Sequence, residues 1–174
     1  WTRIIMASEL RVDKIIPTSG VPTGGGGGII QVTTNTITSQ SQISSYTDYQ
    51  DTNLTGTITP KFATSKIMVM INQQCYHALG GTGASYFGIR LLRGSTVIHD
   101  PVSDGTGPYD QAGYVVNGFN WNFNYLDSPN TTSAVTYKTM ARVYNSSAGT
   151  IKFQMTDSGG VSGVSYIHLM EISA

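Results

Sequence analysis

From Ile29 to the end of the chain, apolar and polar residues alternate with a period of two or gather in short apolar runs, separated by clusters of Gly, Asn, Ser and Asp. A period of two sends successive side chains to opposite faces of an extended backbone, so each such segment is predicted to be a strand. Strands are predicted at Ile29–Ile37, Leu54–Thr59, Ile67–Tyr76, Tyr86–Leu92, Val97–His99, Val115–Tyr125, Val135–Tyr144, Ile151–Thr156 and Val164–Ile172. The cleanest is Phe119–Tyr125. There Phe119, Trp121, Phe123 and Tyr125 share one face, and Asn120, Asn122 and Asn124 share the other. In Val135–Tyr144 the face of Lys138, Met140 and Arg142 opposes that of Val135, Tyr137 and Val143. Turns are predicted at Arg93-Gly94-Ser95, Asp104–Pro108, Ser128-Pro129-Asn130, Asn145–Gly149 and Ser158–Gly163. Short strands at this spacing, with no helical periodicity after residue 29, predict an all-β fold, a jelly-roll-like β-sandwich over residues 29–174.

Residues 1–28 follow a different pattern. Ser8–Ile16 fits either a turn of helix or an extended strip, in which Leu10, Val12, Ile15 and Ile16 are apolar points among charges, too few to fold alone. Pro17 and Pro22 exclude regular structure through 17–23, and Val21 and Pro22 stiffen the exit. Five consecutive glycines follow, Gly24, Gly25, Gly26, Gly27 and Gly28. Such residues lose the most conformational entropy when ordered, so the run reads as a hinge or a closely packed spacer. The expected organisation is an extended N-terminal arm with a polyglycine hinge, residues 1–28, ahead of the sandwich.

Composition sharpens this picture. Charged residues make up 11% of the 174 residues, against about 25% in ordinary globular chains. Thr, Ser, Asn, Gln and Gly take their place, which suits surfaces buried against identical neighbours, where charges are costly to desolvate. The formal net charge is +0, so the electrostatic footprint of a nucleic-acid or anionic-membrane partner is missing. No apolar stretch is long enough for membrane insertion as a helix. Segment 1–30 has no continuous apolar region of the kind a secretory signal needs. The single cysteine, Cys75, excludes an internal disulfide.

Candidate chemistry is sparse. The polyglycine run is followed by a strand rather than the Lys-Ser/Thr and helix of a phosphate loop. His77, His99 and His168 lie on or beside predicted strands. Cys75 and His77 alternate onto one face, but two ligands without a second pair do not make a metal site. Asp100, Asp104 and Asp110 fall around the predicted loop Pro101–Gly113, where aspartates beside Gly and Pro are turn formers. Gly159–Gly163 (GGVSG) stands between two strands, not at the strand-to-helix turn that a nucleophile elbow requires. No catalytic residue, cofactor or metal is expected. The aromatic face of Phe119–Tyr125 is expected in the core. For its Asn face three readings stand: contact with a sugar, contact with a neighbouring subunit around a threefold axis, or plain solvation. Asn120, Trp121, Asn122, Asn124, Tyr109 and Tyr114 are the candidate ligand or interface residues.

The stretch Ser8–Val32 (SELRVDKIIPTSGVPTGGGGGIIQV) resembles the N-terminal segment of structural proteins from tailed phages of cyanobacteria. There an ELRVDKI strip leads through P…GVPTGGGGGI to the first strand. Leu54–Met70 (LTGTITPKFATSKIMVM) and Val164–Ile172 (VSYIHLMEI) continue the likeness. The resemblance implies a virion protein assembled in the host cytoplasm, usually a homotrimer, in a fibre, an appendage or capsid decoration. It implies that the arm, through Leu10, Val12, Ile15, Ile16, Val21 and Pro22, docks on other virion proteins of the tail or capsid. Two further functions are weighed beside it. A tip module binding a host surface glycan would expose an aromatic beside polar groups. A depolymerase would need the aspartates at 100, 104 and 110.

Overall fold

The computed structural model describes residues 28–78, 87–106, 116–144, 149–155 and 163–173. Within them the chain forms strands β1 (Ile29–Ile37), β2 (Ser41–Ile43), β3 (Gln50–Ile58), β4 (Lys66–Ala78) and β5 (Phe87–Arg93). These are followed by β6 (Thr96–Thr106), β7 (Val116–Asp127), β8 (Val135–Val143), β9 (Thr150–Phe153) and β10 (Ser165–Ile172). The pairing is concentric in sequence. β1 pairs with β10, β3 with β8, β4 with β7 and β5 with β6, all antiparallel. The chain is thus a long double ribbon whose tip is the β5–β6 hairpin, closed at Gly94 in the left-handed region (φ 59). Glycine meets that requirement without a Cβ penalty.

As the ribbon wraps, successive pairs fall alternately in two sheets. β1-β10-β4 continues to β7 in one, and β3-β8-β5-β6 forms the other. This is the jelly-roll arrangement. Two short strands extend the first sheet, β9 pairing with the distal half of β4 and β2 pairing with β9.

Inward-facing residues of both sheets build a core in two halves. Leu54, Ile58, Ile67, Val69, Tyr137, Ile167 and Leu169 form one, at the end where Gly28 enters the sheet. Ile43, Cys75, Phe87, Ile89, Val143, Ile151 and Phe153 form the other. Burial pushes the Cys75 thiol above its usual range, which leaves it an inert apolar filler. Between the halves lie the buried side chains of Gln73, Thr139 and Thr52. Thr139 Oγ1 donates to Gln73 Oε1 at 3.0 Å, and Thr52 Oγ1 donates to the Thr139 carbonyl at 3.2 Å. Gly56 sets the sheet separation nearby, since a Cβ there would lie 3.0 Å from Ile167 Cγ2.

The open side between β1 and β3 is closed by side chains. Gln31, Thr33 and Asn35, alternate residues of β1, donate to the carbonyls of Thr59, Thr57 and Thr55 at 2.6, 3.3 and 2.6 Å. These bonds cap carbonyls along the edge of β3 that would otherwise offer a pairing template.

The end of the sandwich next to residue 28 is pinned by three groups of polar contacts. Gly28 is held on both sides, donating to Ser173 Oγ at 3.1 Å and accepting from Ser173 N at 3.0 Å. The last glycine of the expected hinge therefore belongs to the sandwich. Glu171 accepts from Gln31 Nε2 at 2.6 Å and from the backbone amides of Lys61 and Phe62 at 2.7 and 3.3 Å. Across the sheets, Asp127 accepts from Tyr137 Oη at 2.7 Å and from Arg93 Nη1 at 2.9 and 3.1 Å. Burial, reinforced by that carboxylate, pushes the Tyr137 phenol above its usual range, so it remains a neutral donor.

Two expectations are corrected. Asp100 and Asp104 lie in β6, which runs to Thr106, and not in a loop. Pro101 is accommodated because β6 is an edge strand, and its pairing with β5 is broken by register shifts. β2 was not expected; its three residues carry one apolar side chain, Ile43, and no period to read. Leu10, Val12, Ile15, Ile16, Val21, Pro22 and Gly24–Gly27 lie outside the described residues, as do Tyr109, Asp110 and Tyr114.

Two measurements test this reading. Tyr137→Phe removes one hydrogen bond to a charged group while Arg93 still covers Asp127, and should cost about 1.5–3 kcal/mol in urea unfolding with an unchanged slope. For Glu171, burial opposes ionisation, but the Gln31, Lys61 and Phe62 hydrogen bonds outweigh it. The Ser65 hydroxyl acts in the same direction although it closes no hydrogen bond of standard geometry. The carboxyl is thus held below its ordinary value of 4.5. A depressed folded-state pKa contributes stability that is complete above the unfolded value and lost as pH falls through the folded one. Glu171→Gln should therefore be less stable than the parent at pH 7, and the gap should narrow below pH 4.5.

Candidate functional site

The outer faces of the two sheets differ in chemistry. On β3-β8-β5-β6 charges are paired: Lys138 Nζ meets Asp51 Oδ2 at 2.8 Å, and Arg90 Nε meets Asp100 Oδ2 at 2.8 Å. The guanidinium carbons of Arg90 and Arg142 stand 3.8 and 4.9 Å from the ring centre of Tyr49. Asp100 is thereby an ion-pair partner in a strand.

On β1-β10-β4-β7 the register lines up three rows across four strands. Val32, Met170, Met68 and Leu126 form one row, next to the sheet end where Ile29, Ile172 and the exposed Lys66 lie opposite one another. Thr34, His168, Met70 and Asn124 form the next, then Thr36, Tyr166, Asn72 and Asn122. None of the twelve is Asp, Glu, Lys or Arg. The first row is apolar throughout, and its ends, Val32 and Leu126, are 51% and 45% exposed. An aligned apolar row open to solvent is the kind of surface that contacts between proteins use. Beyond the exposed Lys66 at the Gly28 end, the face grades from apolar to amide-rich along the strands.

The distal rows enclose a shallow cleft of about 300 Å³, lined by Met70, Asn72, Asn122, Asn124, Tyr166 and His168. Its side chains orient one another. Asn72 Nδ2 donates to Asn122 Oδ1 at 2.5 Å, and Asn122 Nδ2 donates to the Asn120 carbonyl at 3.4 Å. Thr34 Oγ1 and His168 Nδ1 share a hydrogen bond of 2.8 Å, and the His168 ring is tilted against Tyr166 with centroids 4.7 Å apart.

The structure sorts the sequence candidates. Asn120, Asn122 and Asn124 are exposed on the outer face. Trp121 points the other way, half-buried against both halves of the core, with its ring centre 4.3 Å from that of Phe123. It is a packing residue. Phe119, Phe123 and Tyr125 share its face, and His99 stacks on Phe123 and Tyr125 at 5.7 and 4.9 Å. Cys75 is enclosed in the core. Asn72, Tyr166 and His168 were not among the candidates, because they join the Asn row only through pairing with β4 and β10. Among the described residues, no group of three or more His, Cys, Asp or Glu is placed to hold a metal ion.

Trp121→Ala should lower stability by about 3 kcal/mol, whereas Asn120→Ala, on the opposite face of the same strand, should stay within about 0.5 kcal/mol of the parent. Paired urea titrations check this; equal losses would contradict the assignment of the two faces.

No family model matches the chain, and no curated protein matches it. Among solved structures it is similar to chains of two infectious bursal disease virus strains. One, from the Gx strain, shows 12% identity and a TM-score of 0.39, over 91% of this chain and 45% of that one. The other, from the Gt strain, shows 10% identity and a TM-score of 0.38, over 91% of this chain and 44% of that one. The chain spans less than half the length of either.

Proposed function

We propose that this chain is a non-catalytic structural component of a tailed-phage virion, a fibre or appendage subunit that associates as a homotrimer. Residues 1–27 dock on a neighbouring virion protein, and the jelly roll is displayed from that anchor. One observation carries the reading: three successive outward rows of β1-β10-β4-β7 hold no Asp, Glu, Lys or Arg, and the one toward the arm end, Val32, Met170, Met68 and Leu126, is apolar, with Lys66 beyond it at the sheet end. Identical copies can bring such rows together without opposing like charges or stripping water from ions. The pinned end beside Gly28 gives the arm a firm point of attachment, because Ser173, Glu171 and Asp127 tie the strand ends together. Subunits assembled this way present weak contacts in multiple copies, which raises their combined strength without any new contact. The similarity of Ser8–Val32 to phage structural proteins agrees with this assignment.

Two variants test it. A chain lacking residues 1–27 should keep the fold, since every strand among the described residues lies beyond Gly28, yet fail to enter virions. Met68→Glu places a charge in the middle of the apolar row and should lower the sedimenting mass from trimer to monomer, with far-ultraviolet circular dichroism unchanged. Normal incorporation of the first variant would rule out docking through the arm. An undiminished mass for the second would rule out assembly through this row.

A further inference from the structure

We infer that the distal half of the same face is a binding site for a neutral saccharide. The site is the cleft of about 300 Å³ between β10, β4 and β7, at the small end of the usual range for small-molecule sites. Its polar groups are carboxamides, an imidazole and a phenol, with no carboxylate, ammonium or guanidinium in any of the three rows. A phosphate or a sialylated sugar would need a cation here, and an amine would need a carboxylate. A neutral polyhydroxylated ligand needs neither. It needs groups that donate and accept side by side, which is what a carboxamide offers.

The arrangement is preset. Asn72 and Asn122 hold each other, so the Oδ1 of Asn72 and one N–H of Asn122 are left for a ligand. Asn124, the next outward residue of β7, spends no hydrogen bond within the described residues. The contact with Thr34 fixes the His168 ring by Nδ1 and leaves Nε2 uncommitted. Met70 and the Tyr166 ring add apolar surface to the cleft, against which the C–H face of a pyranose can lie. Side chains already held in place lose little rotamer freedom on binding, which favours a weak ligand. The apolar row toward Gly28 has none of these groups, so contact between copies and contact with a sugar fall on different rows.

The test is saturation-transfer NMR and calorimetry on the full chain. The probes are neutral hexose and N-acetylhexosamine oligosaccharides, with a sialylated set as the acidic counterpart. Asn72→Ala/Asn124→Ala should weaken binding of the neutral probe about tenfold or more, through loss of two ligand contacts, and Tyr166→Ala should do likewise. Met140→Ala, on the outer face of the other sheet, should leave it unchanged. Thermal midpoints of all variants should stay close to the parent's, because none of these side chains belongs to the buried core. The inference is overturned if no neutral probe gives transfer at millimolar concentration, if the cleft variants bind as the parent does, or if acidic sugars bind better. It also falls if the cleft variants lower the sedimenting mass, since the amides would then be a contact between copies.

Discussion

Concentric antiparallel pairing is the constraint on which everything else in this molecule depends. Pairing β5 with β6 at the Gly94 turn fixes the tip of the ribbon; β4 then meets β7, β3 meets β8, and β1 meets β10. Each pair buries one face, and two sheets result because a ribbon whose every strand alternates must fold its apolar side onto itself. The outermost pair brings Ile29 opposite Ile172, residues far apart in the chain. That contact gathers the strand ends at one side of the sandwich, where Gly28, Gln31, Asp127, Glu171 and Ser173 bond to one another or to their neighbours. That end is tied at three places.

The same pairing decides what the outside looks like. Once the inward residues are committed to the core, the rest must form the outer faces, and the two sheets differ in what remains. On one, Arg90, Lys138, Asp51 and Asp100 form ion pairs typical of a solvated surface, worth little to stability. On the other, methionine, valine and leucine give way along the strands to asparagine, tyrosine and histidine. The low charge content of the whole chain thus leaves three successive rows of this face without a charged residue, Lys66 standing beyond them at the Gly28 end. The inward aromatics of β7 and its outward amides serve opposite ends of this division, Trp121 bridging the core halves while Asn122 and Asn124 border the cleft.

How much of this was legible depended on the range of the interaction involved. β8 and β9 are readable from local period alone, and their buried apolar residues fall on the positions that alternation names. The two faces of β7 were equally plain. The local pattern of β6 ends at His99, since Pro101 and Gly105 are breakers in a central strand, and nothing local says that this strand is an edge. β2 owes its existence to β9 and carries no signal of its own. The apolar row was hidden for a related reason: Ile67–Ile71 reads as one continuous apolar run, and only the sheet shows that Met68 and Met70 point outward from it. The cleft was half visible, as an Asn row on β7; Asn72, Tyr166 and His168 are supplied by strands whose neighbourhood no local pattern states.

The central claim is that the outer face of β1-β10-β4-β7 is covered in the assembled protein at its apolar row. Methionine oxidation by dilute peroxide, read residue by residue by mass spectrometry, tests it directly, because methionines lie on both outer faces: Met68 and Met170 on this one, Met140 on the other. All three are half-buried in the single chain, so an isolated molecule should oxidise them at similar rates. In the assembled protein the account predicts that Met68 and Met170 are protected while Met140 is not. Equal oxidation of the three, or protection of Met140 alone, would contradict it.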